Sequence, residues 1–164
     1  MDKELIKTQI IQWMEDFVEK PSPMLNGWAP CPFARQARIN DKIEIIFTEP
    51  RKLMDAVEKN LHVLDSKDVL IVCFNHSDIH YELLSATVKL YNSKLMKRDY
   101  VILEDHPSDP EILNGVQMNF GMCGLLLVQK LSKLITASEQ LKEKGYYSKW
   151  PAENLEAVVN WRNK

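Results

Sequence analysis

A chain of 164 residues, 45% hydrophobic and 27% charged, is long enough for one domain with a full core and too ordinary in composition to be disordered. Its 21 basic and 23 acidic residues leave a net charge of -2, which gives no polyelectrolyte drive toward nucleic acid. No apolar stretch approaches the length of a membrane span, and Met1-Asp2-Lys3-Glu4 lacks the basic start and apolar run of a secretory leader.

Three cysteines, an odd number set far apart, make neither a disulfide framework nor a zinc ribbon. A reducing, cytoplasmic location is the expectation. Cys73 lies inside an apolar run and Cys123 among glycines, both settings that suit a small packed residue.

The first helix is expected from about Asp2 to Glu19. Ile6, Ile10, Trp13 and Phe17 recur at helical spacing and mark its buried stripe, and Pro21 and Pro23 stop it. A loop from Trp28 to Arg38 follows, then a β-branched strand at Ile43 to Phe47. Thr48 is a plausible cap for a second helix, with Pro50 in its first turn and Leu53, Val57, Leu61 and Leu64 inward. Val69 to Phe74 is apolar without alternation, the pattern of a strand covered on both faces. Asn75-His76-Ser77-Asp78 closes it, with Ser77 or Asp78 capping a third helix that buries Leu84, Val88, Tyr91 and Leu95.

Tyr100 to Leu103 reads as a third strand, ended by Glu104-Asp105-His106-Pro107-Ser108-Asp109-Pro110. Asn114-Gly115 marks a turn, with a short strand near Val116 to Met118. A long helix is expected over Met122 to Lys144, with Gly145 at its end, and a final helix from Pro151. Strands alternating with helices favour right-handed parallel crossovers. The reading is a single α/β domain over residues 1–164, with a small, mostly parallel sheet of three to four strands flanked by helices and extra helices at the C-terminus.

Ligands of such sheets bind beyond the carboxyl ends of the strands. Those ends carry Asn75 and His76 in one place and Glu104, Asp105 and His106 in another. His76, Glu104 and His106 are candidate ligands for a divalent transition metal. Against this, no helical or His-x-Asp spacing supports a metal motif, and loop carboxylates such as Asp105 and Asp109, here with Pro107 and Pro110 fixing a turn, are far more often turn formers than ligands. Cys31 stands between Pro30 and Pro32 with Arg35 three residues on, and a nearby guanidinium favours the thiolate. With His106 as base and Asp105 as orienter it would form a nucleophilic site. The competing reading is a small residue packed in a proline-stiffened plug.

Arg35 and Arg38, with Asn75 and His76, are candidates for holding an anionic metabolite. No glycine-rich phosphate loop is present. Tyr146, Tyr147, Trp150 and Trp161 cluster near the C-terminus, either as packing or, if exposed, as a partner surface.

Cys31-Pro32-Phe33-Ala34, followed later by His106-Pro107 at a strand end, resembles an uncharacterised bacterial family carrying a Cys-Pro-Phe-Ala motif after an N-terminal helix and a later strand-end His-Pro. Here Ser-Asp-Pro follows His106-Pro107, where an aromatic residue would be expected. The resemblance implies a shared site and supplies no activity.

Two functions therefore compete. One is a small cytoplasmic enzyme acting on an anionic small molecule between the Cys31 loop and the strand ends at His76 and His106. The other is a non-catalytic binding or accessory protein that uses its aromatic C-terminal region. The sequence leaves the oligomeric state open.

Overall fold

In the computed structural model, which describes residues 1–163, the apolar run at Val69–Phe74 forms β2, the inner strand to which the rest of the sheet is joined. It pairs in parallel with β1 (Ile43–Phe47). On its other side lies β6 (Gly124–Lys130), which runs antiparallel to it and pairs in turn, again antiparallel, with β3 (Tyr100–Asp105). The order is β1-β2-β6-β3. β4 (Ile112–Leu113) and β5 (Val116–Gln117) form a separate hairpin around Asn114 and Gly115, both at positive φ. The sheet is therefore mixed rather than mostly parallel. The expected long helix over Met122 to Lys144 is instead a strand, β6, followed by the helix α5 (Leu131–Glu143).

Strand alternation divides the core between the two faces. Leu70, Val72 and Phe74 of β2 join Leu126, Val128 and Ile102 beneath α3 (Leu53–Asn60) and α4 (Tyr81–Leu95). Ile71, Cys73 and Leu125 face the other way, toward α1 (Lys3–Trp13) and α2 (Ala34–Ile39), with Ile6, Ile10, Met14, Ala34, Phe120 and Cys123. The first expected helix continues past α1 as a π-helical turn, Met14–Val18, while α2 lies inside what the sequence presents as loop. The chain ends in α6 (Ala152–Val158) and a 3-10 turn.

Several helix starts differ from expectation. Glu49, not Thr48, precedes the 3-10 turn that leads into α3. Asn75 accepts from the Ser77 N–H and caps a short turn at His76–Asp78, whereas α4 starts after His80 with no side-chain cap. The start of α5 is capped from far away in sequence. Asp99, left-handed at φ 65, accepts from the Ser132 N–H at 2.8 Å and from its hydroxyl at 2.7 Å. That Ser132 contact holds the Asp99 carboxyl below its ordinary range, as expected of an acid at a helix N-terminus.

β3 is an outer strand, and its open side is closed by one side chain. The buried Asn92 of α4 donates to the Ile102 carbonyl at 2.9 Å and accepts from the Ile102 N–H at 2.8 Å, imitating a neighbouring strand. Asn92→Ala leaves both backbone groups without that partner, at a cost of about 1–3 kcal/mol; the midpoint of chemical denaturation should fall accordingly. At the first residue of β6, a methyl group on Gly124 would overlap the fully buried Phe74 ring. Gly124→Ala is therefore expected to destabilise by about 1–3 kcal/mol through overpacking, measured in the same denaturation series.

Candidate functional site

β1, β2 and β3 run in one direction, so their carboxyl ends share an edge of the sheet even though β6 separates the last two. β6 starts only at Gly124, opposite Phe74. Beyond that point the chain leaving β2 and the chain leaving β3 are free to meet. His76 and His106 approach edge to face with ring centroids 5.8 Å apart, and Tyr81, at the start of α4, lies 6.0 Å from His106.

His106 does not serve as the expected base. It is buried, and its Nε2 lies 3.2 Å from the His76 carbonyl and 3.1 Å from that of Ile79. Both are acceptors, so Nε2 carries the hydrogen, while Nδ1 accepts from the Ser108 N–H at 3.1 Å. Neither nitrogen is left to take a substrate proton or hold a metal. Instead the ring ties the end of β3 to the turn after β2. Asp105 does not orient it: its carboxylate accepts from Asn119 Nδ2 and the Phe120 N–H, each at 3.0 Å. Burial raises the Asp105 carboxyl above its usual range, against the lowering effect of those two donors.

The metal triad is likewise not assembled. Of His76, Glu104 and His106, the last has both ring nitrogens taken by backbone groups, Nε2 by the His76 and Ile79 carbonyls and Nδ1 by the Ser108 N–H. Among the described residues, no group of three or more histidines, cysteines, aspartates or glutamates is arranged to hold a metal ion.

Cys31 is engaged elsewhere. Its N–H donates to the Val18 carbonyl at 3.0 Å, and the preceding Pro30 carbonyl accepts from the buried Tyr146 hydroxyl at 2.6 Å. Trp28 packs edge-on against the same tyrosine at 5.6 Å. As a whole residue Cys31 is exposed, so its surroundings crowd the sulfur without sealing it. That crowding raises the thiol pKa, with the Glu19 carboxylate adding to it and the backbone N–H groups of Phe33 and Ala34 working against it. Among the described residues no hydrogen bond or ion pair joins the Cys31 loop to His76 or His106, whose partners are each other's segments and Ser108.

Arg38 is bound to Glu19 at 2.7 and 3.0 Å and to Glu15 at 2.8 Å. It fastens α2 to the end of the first helix and is not available for a substrate. Arg35 is exposed, on the first turn of α2. Asn75 is occupied by Ser77 and by Asp78, 3.0 Å away. The C-terminal aromatics are mainly packing: Tyr146 is buried, Tyr147 and Trp150 are half-buried, and all three rings contact one another. Burial pushes the Tyr146 phenol far above its usual range.

On the α4 side of the same rim lies a group that strand patterning alone does not reveal. Glu104 is half-buried, and burial raises its carboxyl above the ordinary range while the Ser85 hydroxyl beside it lowers it. Tyr81 lies in polar contact with Ser85 and Asp109, and its phenol is raised first by burial and then by Asp109. His76, whose ring meets that of His106, has a buried Nδ1 without a hydrogen-bond partner among the described residues. The signal available in sequence was the i, i+4 spacing of Tyr81 and Ser85 on one helical face. Two surface hollows lie away from this rim, about 460 Å³ against α1 near Lys7 and Glu15 and about 300 Å³ against α5 near Ser132 and Gln140.

Comparison with known proteins yields no relative: no family model, curated protein or solved structure matches the chain. No helix among the described residues is long and apolar enough to cross a membrane.

The Cys31 environment has a direct chemical consequence. With its pKa raised, the thiol holds less thiolate at neutral pH than a free cysteine. Labelling by an aromatic disulfide reagent should run no faster than with a simple thiol at pH 7 and should accelerate as pH rises. Cys73 and Cys123, both buried, should react only on unfolding. Rapid labelling of Cys31 at neutral pH would restore it as an activated nucleophile.

Proposed function

We propose that the protein is a small enzyme that binds a polar, cationic or hydroxyl-rich metabolite at the carboxyl-terminal rim of the sheet and acts on it by proton transfer through Glu104. The observation that carries this reading is the half-buried Glu104 carboxyl, raised by desolvation, set beside Ser85, Tyr81 and Asp109. A carboxyl moved toward neutrality is suited to general acid–base work at physiological pH, and perturbed groups at strand ends are where such work is usually found. Tyr81 and the unpartnered His76 nitrogen are the groups that would orient the ligand.

Charge sets the ligand class. Asp109 acts on both Glu104 and Tyr81 at this rim, and an anion would be repelled there. The anionic metabolite expected from Arg35 and Arg38 loses one of its two arginines to Glu15 and Glu19. A cytoplasmic setting agrees with three free thiols. The Cys31 loop contributes no chemical group to this site and acts as the plug between the first helix and Tyr146.

The test begins with linkage. A carboxyl whose pKa is raised on folding contributes stability that is full below its unfolded pKa and is lost as pH rises through its folded pKa. Glu104→Gln cannot ionise, so it should melt above the wild type at neutral pH, with the difference vanishing in acid. Chemical-shift mapping with amines, polyols and carboxylates should then show perturbation at Tyr81 and His76 by the first two classes only, lost in Glu104→Gln. A Glu104 that titrates in the ordinary glutamate range, with no stabilisation by glutamine, would overturn the assignment.

A further inference from the structure

We infer that the protein pairs with a second copy of itself through the open edge of β1, the two sheets continuing into one across a two-fold axis at Ile45. The inference is independent of the rim chemistry and starts from which backbone groups of β1 are already used. Thr48 donates to the Cys73 carbonyl at 3.0 Å, and the Lys42 carbonyl accepts from Asp68 and Val69 at 2.8 and 3.2 Å. Lys42, Glu44, Ile46 and Thr48 therefore direct their backbone groups toward β2, with which β1 pairs in register from Ile43↔Val69 to Phe47↔Cys73. By the alternation of a strand, the N–H and C=O groups of Ile43, Ile45 and Phe47 point the other way. Nothing among the described residues pairs with them, and all five residues of β1 are only half-buried.

The two edges of the sheet are treated differently. At β3 the edge is blocked at its middle by a dedicated buried amide, Asn92, which occupies both groups of Ile102. At β1 there is no such amide and no proline within the strand, and the single charge it carries, Glu44, lies on the face shared with Ile46 and leaves the outward backbone groups open. An edge left open in a sequence that closes the other one is suited to strand addition.

The second copy fits this edge by symmetry. In an antiparallel pair centred on Ile45, each Ile43 faces Phe47 of the second copy and Ile45 faces itself, so all three outward residues are satisfied in one register. On the other face Glu44 comes opposite Ile46, so the two glutamates do not oppose each other. The carboxylates brought together at the ends, Asp41 and Glu49, are already neutralised: Lys67 lies 2.8 Å from Asp41 and Arg51 2.8 Å from Glu49. Ile39, an apolar side chain 54% exposed, precedes the strand by four positions in the chain.

Sedimentation equilibrium of the full chain, from micromolar to millimolar, tests this. The wild type should approach twice the chain mass as concentration rises. Ile45→Pro removes an outward N–H and leaves the β1–β2 ladder intact, since proline is tolerated at such an edge position. It should remain monomeric at every concentration with a wild-type far-ultraviolet spectrum. Should that variant fail to fold, amide exchange in the wild type decides. The N–H groups of Ile43, Ile45 and Phe47 should be protected at high concentration and exchange rapidly on dilution, while those of Glu44 and Ile46 stay protected throughout. A wild type that is monomeric across the range, or a dimer in which those three amides still exchange rapidly, would overturn the inference.

Discussion

β6 enters the sheet between β2 and β3 with reversed direction, and the rim takes its character from where that strand begins. Had β2 and β3 been neighbours, Asn75 and His106 would have left the sheet side by side as ordinary parallel strand ends. With β6 between them they are two strand widths apart, roughly 10 Å by normal spacing, and only the absence of β6 beyond Gly124 lets them close the gap. Gly124 is where the Phe74 ring occupies the space a side chain would take. The ring seals the start of β6 from the α4 side, and the two chains then meet above it through His106 and the carbonyls of His76 and Ile79. A buried histidine with three backbone partners is a rigid cross-link. It holds the turn from which His76 and Tyr81 reach the rim.

This arrangement separates two roles that a linear reading of the strand ends merges. His106 and Asp105 are the most chemically suggestive pair in the sequence, and both are consumed in holding loops. Asp105 fixes the segment returning to β6 through Asn119 and Phe120, and His106 fixes the turn before α4. What they leave unspent lies on the other face. Glu104 keeps its carboxyl in a desolvated place beside the Ser85 hydroxyl, and that burial is a standing cost to the fold. Side chains that only stabilise do not need such an environment, which is why that residue rather than its more conspicuous neighbours is assigned the chemistry.

How much of this was legible depends on where each signal is encoded. The β1 and β2 runs and the buried stripe of α3 and the 3-10 turn after it (Leu61–Asp65) were plain because local pattern and tertiary role agree, as at Val69–Phe74 and at Leu53, Val57, Leu61 and Leu64. β6 was hidden because Leu125-Leu126-Leu127-Val128 suits a buried helix as well as a strand, and because the boundary between β6 and α5 carries no local cap. Lys130 occupies the N-cap position without capping; the cap is Asp99, brought in by the fold. α2 was masked by the prolines at Pro30 and Pro32, which read as loop although helix resumes at Ala34. The pairing of His76 with His106 could be anticipated from the strand-end rule, but the exhaustion of His106 could not, since its partners are carbonyl groups with no trace in residue identity.

The opening between the first helix and β1 shows the same economy from the other side. Trp28, Pro30 and Cys31 look like a site because they concentrate unusual residues, yet their contacts include Val18, Glu19 and Tyr146, the end of the first helix and the C-terminal segment. Arg38 completes that join by spanning Glu15 and Glu19. The loop thereby fastens the two ends of the chain together across the α1 face of the sheet and positions α2, whose last residues feed directly into β1. A mobile loop there would leave β1 free to shift register against β2, since β1 has a neighbour on only one side. Fixing the loop fixes the register, and with it which residues of β1 turn their backbone groups outward. The composition that suggested a catalytic motif is thus accounted for by the demand for a rigid approach to an edge strand.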